Sequence, residues 1–292
     1  VGGIGLEDCD FSNFSIAVVG MGLIGGSYAM ALKSIGTKYI AGMDRSLETL
    51  DKAIDMKIID RGYDKPGKFL KDMDIVIVAL YPQDTISFIR DNVEYFKPGA
   101  IITDTSGIKK LVVEAVDSFL PEDIEFISGH PMAGKEYRGI EYADGSIFKG
   151  ANYIITPGIR NKKSSIDIIV SMARKFGCKN VEYISPEEHD SIIAYTSQLP
   201  HVIATALLMN EHIKDIKPEL FVGGSFRDAT RVALINSKLW TELFMLNSDE
   251  LVKRIDEFQS SINRIKKDIK NKDIEDLQTV FEDTISLRKK IN

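Results

Sequence analysis

His130 lies in Ser128-Gly129-His130-Pro131-Met132-Ala133-Gly134, just past a β-rich run, where glycines and Pro131 fix the backbone without a regular element. An imidazole titrates near pH ~6.5, so its neutral form can accept a proton under ordinary conditions. His201 closes the segment Ser197-Gln198-Leu199-Pro200-His201. Four apart on a helix, Ser197 and His201 share a face, and Pro200 is expected to kink the helix there or release a carbonyl. Phe226-Arg227-Asp228-Ala229-Thr230-Arg231 supplies two guanidiniums four residues apart. Either can grip a carboxylate in a bidentate fork, or pair with a nearby acid such as Asp228. These types suit proton transfer on a small anionic molecule. His189 and His212 have no such neighbours and read as a helix-start surface residue and a helix-face residue. No two histidines have HExxH spacing, so no metal site is expected.

A second motif, Gly20-Met21-Gly22-Leu23-Ile24-Gly25, directly follows the β-rich run Ile16-Ala17-Val18-Val19 and opens a helical pattern. That context is what a dinucleotide loop requires. Gly20 permits the tight turn and Gly22 lets a pyrophosphate approach the backbone. Gly25 allows helix and strand to pack closely, and Leu23 and Ile24 lie in the first helical turn, whose amides face the anion. Asp44 ends the second β-rich run, 19 residues after Gly25. A carboxylate there accepts hydrogen bonds from the adenosine ribose and repels a 2′-phosphate, favouring NAD over NADP. Its neighbour Arg45 is the residue that would pair with such a phosphate.

The elements that must position these groups follow from periodicity. Short apolar runs alternate with helical patterns through the first 185 residues, the signature of a parallel sheet covered on both faces. Runs at Glu125–Ser128, Tyr153–Thr156 and Asn180–Ile184 are expected to extend that sheet. From Ser185-Pro186-Glu187-Glu188, a capping serine followed by proline and acids, the pattern becomes wholly helical. Val252, Ile255, Phe258, Ile262, Ile265 and Ile269 form one apolar stripe on a long helix. The expected organisation is a tail or tag remnant over 1–14, a dinucleotide-binding domain over 15–185 and a helical domain over 186–292.

Composition sets outer bounds. With 37 basic and 43 acidic residues the net charge is −6, which argues against a dedicated nucleic-acid binder. Cys9 and Cys178 are far apart and in no CxxC pattern, so neither a disulfide framework nor a cysteine zinc site is expected, and a reducing cytoplasm fits. The longest uninterrupted apolar runs fall short of the ~18 residues a membrane span needs, and no secretory signal is evident.

With Thr103-Asp104-Thr105-Ser106-Gly107-Ile108-Lys109 added, these segments resemble the prephenate dehydrogenase family, which includes arogenate and cyclohexadienyl dehydrogenases of tyrosine biosynthesis. GMGLIGGS, TDTSGIK, SGHPMAGKEYRG, SQLPH and FRDATRVA run in family order across nearly all of residues 15 to 290. The resemblance implies an α/β Rossmann-type, doubly wound and mostly parallel sheet, followed by an all-helical domain that pairs with its twin in a homodimer. It also implies NAD as cofactor and oxidative decarboxylation of a cyclohexadienol. Under it, His130 matches the catalytic histidine, His201 a second pocket histidine, and Arg231, rather than Arg227, the arginine holding a substrate carboxylate. Ser197 falls at the substrate. Many members place a serine after the glycine of the third segment; here the order is Ser106-Gly107, which makes Ser106 the candidate for that contact. Some relatives add a regulatory domain, and none is expected after the helical region. The expected substrate is prephenate, and the alternatives are an arogenate dehydrogenase, a two-domain 3-hydroxyacid-type dehydrogenase, a pyrroline-carboxylate reductase, and a non-catalytic NAD-binding dimer.

Overall fold

In the computed structural model, which describes residues 9–135, 137–209 and 218–290, the unbroken apolar runs become the middle of a six-stranded parallel sheet. Its strands are β1 (Ser15–Val19), β2 (Tyr39–Met43), β3 (Arg61–Tyr63), β4 (Ile75–Val78), β5 (Ile101–Asp104) and β6 (Glu125–Phe126), in the order β3-β2-β1-β4-β5-β6. Alternate residues serve opposite faces, because side chains on a strand have a period of two. Ile16, Val18, Ile75 and Ile77 join one buried cluster. Ala17, Val19, Val76 and Val78 join the other. Helix α1 (Leu23–Ser34) covers the first face, and α3 (Pro82–Asp91) and α4 (Lys110–Asp117) the second. Helix α2 (Leu47–Asp55) starts at Ser46, whose hydroxyl accepts the Thr49 amide.

Of the three later runs, the first extends this sheet only through Glu125 and Phe126, and the other two do not join it. The chain breaks pairing at Ile127, and β7 (Ser128–Pro131) lies antiparallel to β8 (Asn152–Thr156), which pairs in parallel with β9 (Asn180–Tyr183). Apolar runs alone carry no information about pairing partner, which is why one sheet and two read alike in the sequence. His130 consequently sits inside a strand, opposite Ile154, rather than in irregular chain. Helix α5 (Lys163–Lys175) covers this second sheet.

Helix α6 (Pro186–Ile193) begins as its residues require: the Ser185 hydroxyl accepts the Glu188 amide and Pro186 occupies the first turn. A π-helical turn, Ala194–Gln198, leads into α7 (Leu199–Leu208). Pro200 has no N–H for the Thr196 carbonyl, and its ring would crowd that carbonyl in a regular helix. The wider turn relieves the clash, with the Leu199 amide bonded back to Ala194. Together 186–208 form one 23-residue helical span apolar enough in composition to cross a membrane. That length joins two segments on either side of Gln198 and exceeds any uninterrupted apolar run; His189, Asp190 and Gln198 within it are buried against the rest of the protein. The chain continues through α8 (Pro218–Phe221), α9 (Gly224–Thr230), α10 (Ser237–Leu246), α11 (Ser248–Asn271) and α12 (Ile274–Lys290).

Candidate active site

The order of the sheet reverses between β1 and β4, and ligands of open α/β sheets bind in the crevice beyond such a point. Here the crevice opens into a cavity of about 950 Å³ between the sheet and the helical region. Gly20 takes a left-handed φ of +88°, which glycine adopts without strain. A Cβ on Gly25 would lie 1.8 Å from the Gly20 carbonyl oxygen, so only glycine lets α1 start this close to the turn. A Cβ on Gly22 would meet no protein atom within 4 Å. Gly22, Leu23, Ile24 and Gly25 all line the cavity, and no side chain caps α1. The open space above Gly22 and the uncapped helix end fit the diphosphate of a dinucleotide.

Asp44 stands at the end of β2, away from the main cavity wall. Its Oδ2 accepts the Met21 amide at 2.9 Å and its Oδ1 the Ser46 amide at 2.9 Å. The carboxylate therefore braces the glycine loop and keeps a further lone pair on each oxygen. Arg45 is exposed beside it.

Five side chains singled out by sequence converge on the cavity: Ser106, His130, Ser197, His201 and Arg231. Arg227 is exposed on α9 and does not line it. Lys135 lines it, with its ammonium 3.0 Å from Asp144. His201 Nδ1 lies 2.8 Å from the Ser197 carbonyl oxygen, and its ring stacks on Trp240 with centroids 3.5 Å apart. The π turn and Pro200 thus set the direction of this imidazole. Asp104, at the end of β5, accepts hydrogen bonds from the Ser106 hydroxyl and amide, the Ser128 hydroxyl and the Gly129 amide. Buried Lys109 adds its ammonium at 2.8 and 2.9 Å and also donates to the Gly129 carbonyl. This hub ties the Ser106 loop to the strand bearing His130. A Cβ on Gly107 would meet Leu243 at 3.6 Å and His130 at 3.9 Å, ordinary contact, so the reversed Ser106-Gly107 order reflects no lack of room.

His189 corrects the sequence reading. It is not a surface residue but fully buried, with its Nε2 2.9 Å from His130 Nδ1 and its Nδ1 2.7 Å from Asp190 Oδ1. Burial first, then His189 and Lys109, push the His130 imidazole well below the ordinary histidine value. Burial also lowers His189, against the opposing pull of Asp190. Trp240, the single tryptophan, and Gln198 on the cavity wall were likewise missed. Being the only residue of its type was the one signal Trp240 offered. His212 lies outside the described residues.

A glycine loop at a sheet switch point, facing imidazoles and a guanidinium across a cleft, defines a two-domain oxidoreductase built on a nucleotide-binding fold. Residues 28–182 match the family described as "Prephenate dehydrogenase, nucleotide-binding domain", and residues 185–283 "Prephenate dehydrogenase, dimerization domain". A prephenate dehydrogenase of Bacillus subtilis is 32% identical over 272 residues, covering 91% of this chain and 73% of the relative. The crystal structure of prephenate dehydrogenase from A. aeolicus, in complex with hydroxyphenyl propionate and NAD+, superposes with a TM-score of 0.89 at 29% identity, covering 96% of this chain and 98% of the other. A Synechocystis arogenate dehydrogenase superposes at 0.82 with 26% identity, covering 95% and 100%. The chain belongs to the prephenate dehydrogenase family.

Proposed function

We propose that this protein catalyses the NAD-dependent oxidative decarboxylation of prephenate to 4-hydroxyphenylpyruvate in tyrosine biosynthesis. The observation that carries this reading is the meeting of His130, His201 and Arg231, from separate halves of the chain, in one cavity with the glycine loop. NAD is supported by the fit at Gly22 and Gly25 and by Asp44, whose free lone pairs suit a ribose and whose charge opposes a 2′-phosphate. Bound in the crevice, NAD would supply a nicotinamide as the acceptor for a hydride from the ring carbon bearing the hydroxyl.

The protein's part is orientation and proton transfer. Neutral His130 takes the hydroxyl proton, and Ser106, whose own hydroxyl hydrogen is held by Asp104, lines the same cavity. Arg231 holds a substrate carboxylate, with Ser197 and His201 lining the same cavity. Loss of the ring carboxylate as carbon dioxide then yields an aromatic product, which makes the step strongly downhill.

Family membership and the bare apolar faces of α11 and α12 support a homodimer through the helical domain. The test is absorbance at 340 nm in parallel reactions with prephenate or arogenate, and with NAD or NADP. The expected result is turnover with prephenate and NAD, abolished in His130→Asn by roughly 10²–10⁴-fold in kcat. Faster turnover of arogenate would reassign the substrate. No turnover of either would reject the reading, leaving a nucleotide-binding dimer.

A further inference from the structure

Beyond the cavity wall, His130 is the first of three ionisable groups in line, His130, His189 and Asp190, joined by contacts of 2.9 and 2.7 Å. Which nitrogens carry hydrogen follows from the far end of this line. Asp190 Oδ1 accepts the Lys109 amide at 2.8 Å and Oδ2 the Lys110 amide at 3.0 Å. Both oxygens thus serve as acceptors of backbone hydrogens, the role of a carboxylate. A carboxylate can only accept, so His189 Nδ1 must bear the hydrogen that points at it. His189 is fully buried and neutral, which leaves a lone pair on Nε2. That lone pair faces His130 Nδ1, which must then carry a hydrogen in turn. Neutral His130 is left with its lone pair on Nε2, the nitrogen not engaged by His189. The opposite arrangement would set a His189 lone pair against a carboxylate at 2.7 Å.

We propose that His189 and Asp190 are positioning residues that hold His130 in its Nδ1–H form, so that Nε2 accepts the substrate's hydroxyl proton, and that they carry away the charge so created. The inference rests on the reading of His130 as the proton acceptor. In the step, the substrate O–H bond breaks and a His130 Nε2–H bond forms. The His130 Nδ1–H bond breaks as a His189 Nε2–H bond forms, while the hydride goes to the nicotinamide. The imidazolium ends on His189, directly against the Asp190 carboxylate, and His130 is neutral again. Lys109, the cation facing both rings, disfavours charge on either; Asp190 and Asp104 favour it on His189. The adjacent acid therefore decides where the proton rests. Asn247 fixes the turn of α6 that carries this acid, donating to the Asp190 carbonyl at 2.9 Å.

The test begins with the intact, cofactor-free chain labelled with ¹⁵N-histidine. Long-range proton–nitrogen spectra are expected to show a protonated Nδ1 and an unprotonated Nε2 on both His130 and His189. An unprotonated Nδ1 on His130 would overturn the proposal, whatever the activity. Kinetics with prephenate and NAD form the second arm. In Asp190→Asn, the amide nitrogen can donate to His189 and reverse both tautomers, so kcat should fall about 10²–10⁴-fold at neutral pH with KM changed less than about threefold. His189→Gln keeps an acceptor for His130 Nδ1 and should retain at least about tenfold more kcat than His189→Leu. Equal rates in those two variants would reject the positioning of His130 through its Nδ1–H. If the unaltered chain oxidises neither prephenate nor arogenate, the functional reading fails while the nitrogen spectra still decide this one.

Discussion

Arg227 and Arg231 show how much a single residue's role depends on where its element ends. Four apart, they would share a face if one α-helix held both. Helix α9 stops at Thr230, and Arg231 opens a 3₁₀ turn that directs it to the cavity, while Arg227 stays exposed. Arg231→Ala should raise the prephenate KM about 10- to 100-fold, as expected for losing a charged hydrogen bond of ~1.5–3 kcal/mol. Arg227→Ala should change it less than about twofold. Steady-state titrations of prephenate on both variants check this, and equal effects would place the carboxylate between them. His130 was legible from its glycine- and proline-rich neighbours. His189 was not, because its only mark in the sequence is the adjacent Asp190, and its partner His130 lies 59 residues away.

At the scale of elements, the glycine loop is the part most fully encoded. Strand, turn and helix are contiguous, so the chain needs no distant contact to form them. Gly25→Ala would drive a methyl group into the Gly20 carbonyl, a backbone atom that cannot swing aside. Such overpacking costs about 1–3 kcal/mol or more. The expected outcome is a lower melting temperature together with at least about a tenfold loss in NAD affinity, read by calorimetry. Gly22→Ala, which meets no protein atom, should keep the melting temperature while weakening NAD. If both variants bind NAD normally, the diphosphate lies elsewhere. The π turn shows partial legibility. Pro200 forecasts a break in regular helix, but widening rather than kinking depends on what α6 and α7 must reach at their two ends.

For the whole molecule, the asymmetry of burial is the main fact. Two clusters of buried side chains fill the α/β half. After Gln198, only Leu199, Ala204, Leu243 and Leu251 are buried apolar residues among those described. Phe221, Leu234, Val252, Ile262, Ile269 and Phe281 remain exposed, so the α11 stripe read from sequence is not covered within one chain. Exposed apolar area on this scale marks an interface. Sedimentation should give twice the 32.6 kDa chain mass, and Ile262→Asp with Ile269→Asp should shift it toward the monomer. A monomer in the unaltered protein would refute the dimer. The two halves also meet at the cavity rim, where Glu242 of α10 accepts the Gln83 amide of α3 at 2.9 Å.

The amino-acid order alone determined the alternating α/β half, the helical half and the dinucleotide loop, and it singled out His130, His201 and the pair Arg227 and Arg231 as candidates. Each of these depends on residues close together in the chain, through period, turn chemistry or a short motif. Only the tertiary structure decided that β7 to β9 form a separate sheet, and that Arg231 and not Arg227 reaches the cavity. It alone placed His189 and Asp190 behind His130. Strand pairing, helix ends and buried hydrogen bonds between distant residues are settled by competition among long-range contacts, which no local pattern records.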